Sequence, residues 1–104
     1  MSDIALVHAT FANREEAERI ASDMVVERLA ACANILAPCV SLYRWEGEIE
    51  RAQEVPVLFK TTPELVAALR ARVAALHSYD LPVIEAWPVA AGSAVFKWVH
   101  DVTG

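Results

Sequence analysis

The sequence predicts an α+β domain: a split β-α-β sandwich with one long hairpin between its second and third strands and a short helix at the C-terminal end. Three observations carry that prediction. Segments 13–29 and 62–77 place apolar residues at three-and-four spacing behind capping signals, whereas 4–10, 32–45, 49–60 and 83–89 are β-branched or alternate at period two. The order strand, helix, two strands, helix, strand is that of two helices laid on one face of an antiparallel sheet. Finally, the two arms that meet at Trp45-Glu46-Gly47 are long for a chain of 104 residues.

Each element has a local cause. Ile4 to Thr10 is an apolar run that ends where Asn13 offers a helix cap. Glu15 and Glu16 then occupy the positive first turn, and Ala17, Ile20, Ala21, Met24, Val25 and Leu29 form the apolar stripe. From Cys32 the pattern becomes strand-like, with Val40, Leu42 and Arg44 on one face and Ser41, Tyr43 and Trp45 on the other; Pro38 marks a bulge. The return arm begins at Ile49 and carries Val55, Val57 and Phe59 to Lys60, with the nitrogen of Pro56 expected at an unpaired edge or a second bulge. Thr62 is read as the cap of a second helix with Pro63 at its first position, ending near His77 and Ser78. Val83 to Val89 follows as a strand, and Ala94 to Val102 as a short helix.

The hairpin is out of proportion to the rest. Arms of about 13 residues would extend about 40 Å, against a radius of gyration of about 13 Å for a compact domain of this size. A tip bearing Tyr43, Trp45 and Ile49 should therefore overhang the core and dock on a neighbouring copy. The alternative is a ribbon coiled back over its own sheet.

Composition narrows the function. A length of 104 residues suits one domain spanning 1–104. The net charge of −5, with nine scattered Lys and Arg residues, offers no track for a phosphate backbone, so no nucleic-acid partner is expected. No apolar run approaches the roughly 20 residues of a membrane span, and the start Met1-Ser2-Asp3 lacks the order of a signal peptide; the expectation is a cytoplasmic protein without a membrane partner. Cys32 and Cys39, seven residues apart on one extended segment, would be separated by about 23 Å and so not bridged.

The stretch ERLAACANILAPCVSLYRWEGEIERAQEVPVLFKTT, residues 27–62, closely resembles the CutA family of divalent-cation tolerance proteins, and LHSYDLPVI and Trp98 continue the likeness over nearly the whole chain. The resemblance implies a ferredoxin-like subunit in a homotrimer, similar in architecture to the PII signalling proteins, and an association with copper and other divalent metals. On this pattern Tyr43, Trp45, Glu46 and Gly47 match the hairpin signature, Lys60 the end of the return strand, and His77 and Tyr79 the motif after the second helix. Three positions depart from it. Ala9 stands where some members carry a metal-associated cysteine, Val83 where a glutamate is usual, and Val95 where a tyrosine is common.

The chemistry expected of such a chain is binding, not catalysis. Its three glycines form no phosphate cradle, and Ser78, His77 and Asp80 lie too close in sequence for a triad. Trp45, Lys60, His77, Tyr79 and Asp80, with Tyr43 beside them, are expected to gather at a cleft between subunits, where Lys60 could pair with Asp80 or Glu85. As metal ligands the candidates are His77 with Cys32, His8 or a carboxylate, a donor set suited to Cu or Zn, against a hydrogen-bonding role for His77 and a buried core role for Cys32. Two functions follow: a non-enzymatic trimeric module of divalent-metal (copper) tolerance, or a PII-like sensor of a small molecule that acts through a protein partner.

Overall fold

The structure, a computed structural model, describes residues 2–104. It runs β1 (Ser2–Phe11), α1 (Arg14–Val26), β2 (Cys32–Ile35), β3 (Cys39–Trp45), β4 (Glu48–Thr61), α2 (Val66–Leu76), β5 (Ile84–Ala91) and α3 (Ser93–Thr103). The sheet order is β2-β4-β1-β5, antiparallel throughout, with β3 continuing along β4 beyond β2. This is the predicted ferredoxin-like α+β arrangement, its second strand broken into β2 and β3.

The breaks have physical causes. Asn13, in extended conformation, accepts the Glu16 amide at 2.8 Å and starts α1 as expected. The helix stops at Val26 and not at Leu29, because Arg28 enters the left-handed region at φ 62° and the amides of Leu29 and Ala30 turn back to the Met24 carbonyl. Thr62 makes no side-chain capping bond. Pro63–Leu65 winds as a 3-10 turn and α2 proper begins at Val66, later than the sequence suggests.

Between β2 and β3, Leu36, Ala37 and Pro38 oppose only Val55 and Pro56, which makes the bulge expected at Pro38. The Leu36 amide donates to the Pro56 carbonyl at 2.9 Å. A strand residue turns its nitrogen and carbonyl toward the same neighbour, so the Pro56 nitrogen faces the bulge, where no ladder donor is required.

Alternation sorts the sheet into two faces. Val7, Ala9 and Phe11 of β1 and Val55, Val57 and Phe59 of β4 pack beneath α1 and α2, against Ile20, Met24, Leu69 and Val73, all wholly or nearly wholly buried. Arg72 of α2 grips the Glu27 carboxylate at the end of α1 through two hydrogen bonds of 2.9 and 3.1 Å. The opposite face is covered only at one end, where Phe96 and Val99 of α3 meet Ile4, Val89 and Ala91.

The hairpin leaves this body. Strand β1 pairs β4 only from Val55 to Thr61; the preceding residues Glu48–Glu54 pair with β3 alone. Two seven-residue arms therefore project, about 23 Å at the usual rise. That is half the expected reach, because the other half of β4 is a central strand of the sheet. The molecule measures 45 × 24 × 23 Å.

Candidate functional site

The segment after α2 is fixed by two buried carboxylates and one histidine. His77 leaves the helix in extended conformation, and its ring stacks on Phe11 with centroids 4.7 Å apart. The Tyr79 amide donates to Nδ1 at 3.1 Å, so Nδ1 is the acceptor nitrogen and Nε2 carries the hydrogen that it donates to the Thr10 carbonyl at 2.8 Å. Glu16, 5% exposed, takes the Ser78 amide on Oε2 at 2.8 Å and the Ser78 hydroxyl on Oε1 at 3.0 Å, while reaching back to the Ala12 amide at 3.4 Å. One side chain thus closes the start of α1 and ties the loop to it.

The second carboxylate lies where the hairpin joins the sheet. Glu54 is 8% exposed and accepts from the Tyr79 hydroxyl at 2.6 Å and the Thr10 hydroxyl at 3.2 Å. Burial by itself raises the Glu54 pKa, but hydrogen bonds from Ser41, Tyr79 and Thr10 outweigh it and hold the carboxyl below its ordinary range. Tyr79 answers in the opposite sense: burial, and then the bond to ionised Glu54, push its phenol well above the ordinary value.

Above Glu54 the hairpin and the loop flank an open cavity of about 680 Å³. Tyr43 and Trp45 form its hairpin wall, each 43% exposed, on the ribbon face that carries Glu54. Tyr79, Asp80 and Val83 form the loop wall. At the mouth, His8 Nδ1 lies 2.9 Å from Glu85 Oε1 across the β1–β5 pair.

The predicted cluster is thereby split. Tyr43, Trp45, Tyr79 and Asp80 come together around one cavity, with His77 behind Tyr79. Lys60 does not join them: it is six residues from Glu54 along β4, about 20 Å, and its Nζ donates to Asn34 Oδ1 at 3.1 Å, beside Cys32 and Leu6 in a separate hollow. The anticipated pairing of Lys60 with Asp80 or Glu85 is absent within the chain, and Glu85 is held by His8 instead.

The metal set fits poorly within one subunit. Both ring nitrogens of His77 are engaged with the backbone and present no free lone pair, and Cys32 lies at the Lys60 end of β4. Among the described residues no three His, Cys, Asp or Glu side chains converge as metal ligands would. Cys32 is half-buried, not part of the core as expected, and both cysteines are free. Ala9, by contrast, is fully buried between Val57 and Ile84, a packing position in the helix-side core, and Val83 is exposed on the cavity wall.

Glu16, expected only as a first-turn carboxylate of the first helix, and Glu54 are the site residues the sequence does not single out. Glu16 had a signal, since a carboxylate three residues after an Asn cap can reach back over the helix start. Glu54 had none beyond its place on the aromatic face of the hairpin.

Comparison with known proteins sets this geometry in context. The family described as CutA1 divalent ion tolerance protein matches residues 5–102. A divalent-cation tolerance protein CutA of Thermus thermophilus is 42% identical, with all of both chains covered. The chloroplastic protein CutA of Arabidopsis thaliana is 36% identical over 94% of this chain, which spans only 54% of that relative. Among solved structures, the periplasmic divalent cation tolerance protein CutA of Archaeoglobus fulgidus superposes with a TM-score of 0.92 at 38% identity, covering 99% of this chain and 100% of that one. With chloroplastic and periplasmic relatives in the comparison, the cytoplasmic expectation does not follow from likeness. No helix among the described residues is long and apolar enough to cross a membrane.

Proposed function

The chain belongs to the CutA1 divalent ion tolerance family, and from that membership we propose that it serves divalent-cation tolerance as a non-enzymatic homotrimer, without a metal site built by one subunit alone. The observation that carries this reading is the projecting ribbon. Val40, Leu42 and Ile49 are 53%, 69% and 64% exposed on one of its faces, and Tyr43 and Trp45 are half-exposed on the other. Apolar side chains on the outward face of a ribbon that leaves its own core call for cover, and a second copy supplies it. The unpaired backbone along the outer side of β3 supports the same reading. Copper and zinc are the cations to test, because they suit the imidazole and thiolate donors that a junction between copies could gather. Solution mass by light scattering decides the assembly: a trimer at micromolar concentration supports it, and a stable monomer removes it.

A second reading is favoured by a different observation. The walled cavity beside Glu54 is of the size that small-molecule sites occupy, which fits a sensor whose occupied state is passed on through the hairpin to a protein partner. Retention of a partner from lysate only when the cavity is open, and its loss on Trp45→Ala, would favour this reading over simple assembly.

A further inference from the structure

We propose that the cavity between the hairpin and the loop after α2 binds an organic cation, an ammonium group carried on an apolar body. The inference deepens the sensor reading above and rests on it for its purpose.

Size and walls set the class of occupant. About 680 Å³ is far more than a bare ion needs and falls in the range of metabolite sites. Three aromatic side chains, Tyr43, Trp45 and Tyr79, line it from both sides. Their ring faces attract a cation, and Trp and Tyr do so without giving up any ligand they already hold.

The charge around the cavity is predominantly negative. Glu54 lies at the floor, and Asp80 and Glu85 lie at the rim. Of the basic lining residues, His8 is already held by Glu85, and Arg44 alternates with Tyr43 and Trp45, so its side chain leaves from the other face of the ribbon. An anion would meet carboxylates with no guanidinium or ammonium to receive it. A bare divalent ion would meet a Glu54 whose Oε2 already accepts from two hydroxyl groups, and no convergent third ligand among the described residues. An organic cation needs neither. It requires an aromatic cage and a nearby negative field, and a carboxylate shielded from water projects its field further than an exposed one.

Benzyltrimethylammonium is a suitable probe, with benzyl alcohol as its uncharged counterpart. Calorimetry or NMR titration should show saturable binding of the cation at one site per chain, with the alcohol at least tenfold weaker. Trp45→Ala should weaken the cation by about tenfold. Asp80→Asn combined with Glu85→Gln, both at exposed positions, should weaken it and make binding less salt-dependent. If Trp45→Ala alters the mass of the assembly, Tyr43→Leu removes an aromatic face while keeping an apolar side chain and takes its place. No saturation at millimolar cation, equal binding of the alcohol, or an aromatic substitution without effect would each overturn the proposal. The same samples are weighed by light scattering. A trimer that binds nothing defeats this inference and leaves the assembly standing, and a monomer that binds the cation does the reverse.

Discussion

The Tyr79 hydroxyl donates to Glu54 Oε2 at 2.6 Å, which pins the loop after α2 to the point where the hairpin leaves the sheet. Tyr79→Phe keeps the ring and removes only the donor. With Thr10 and Ser41 left on a buried carboxylate, the loss should be about 2 kcal/mol, read as a fall in the midpoint of urea unfolding at unchanged slope. A change below a few tenths of a kcal/mol would mean that water replaces the phenol freely.

The pair also predicts a window of pH. The folded-state pKa of Glu54 is depressed, so its contribution to stability is present above the unfolded carboxylate value of about 4.3 and disappears as pH falls through the lower folded value. Tyr79 is raised, so its share is complete below the unfolded value of about 10 and is lost at higher pH. Unfolding free energies measured from pH 7 to pH 3 should fall more steeply in the parent than in Glu54→Gln. Parallel curves would show that Glu54 is not the titrating group.

Glu16 holds three donors at once, from Ala12, Ser78 and the Ser78 hydroxyl. Glu16→Ala leaves two part-buried amides without their acceptor and should cost about 1 to 2 kcal/mol, whereas Glu16→Gln retains an acceptor oxygen and should cost less. Hydrogen exchange gives the local test. The Ser78 amide should lose protection in the Ala variant well before amides of β1 do, and equal loss at both places would mean that the fold as a whole has loosened.

What the sequence made legible follows from the range of the signals. The apolar periods of α1, β1 and β4, the cap at Asn13 and the bulge at Pro38 are local, and each forms where its residues dictate. The end of α1 at Val26 was hidden because Leu29, which continues the stripe, still packs on the core after the chain has turned at Arg28. The site was half legible. Tyr43 and Trp45 share a hairpin face by alternation alone, and Tyr79 and Asp80 are neighbours in sequence. Lys60 lies apart from the cavity within the chain because the strand that carries it also carries Glu54, and a motif residue shows its strand and face but not which end of that strand the cavity occupies. His77 stood between two roles because a metal-binding imidazole and a fully hydrogen-bonded one look alike until both ring nitrogens have been traced, and within the chain it takes the hydrogen-bonding role.

Assembly should respond to the face of the ribbon that the cavity does not use. Leu42 is 69% exposed and lies across from Arg51. Leu42→Glu adds no strain to an isolated subunit, yet a charge buried between copies would weaken association by about 2 kcal/mol or more. Sedimentation across a dilution series should show dissociation at concentrations where the parent stays whole. If the variant assembles like the parent, that face is turned to solvent and the ribbon docks by another surface.

Copper and zinc titrations bear on His77 directly. Its Nδ1 accepts from the Tyr79 amide and its Nε2 donates to the Thr10 carbonyl, so ligation would require breaking one of these bonds and turning a ring stacked on Phe11. Metal affinity measured by calorimetry on metal-free protein should therefore be the same for the parent and for His77→Gln. The substitution should instead appear in stability, as a loss of about 1 to 2 kcal/mol from the two backbone groups left unpaired. A tenfold fall in copper or zinc affinity with stability unchanged would contradict this, because it would require a ring already free to turn. Cys32→Ala, at the other end of β4, separates the remaining possibility: weakened binding there, with His77→Gln neutral, would place the metal at the thiolate end of the strand, away from the Glu54 cavity.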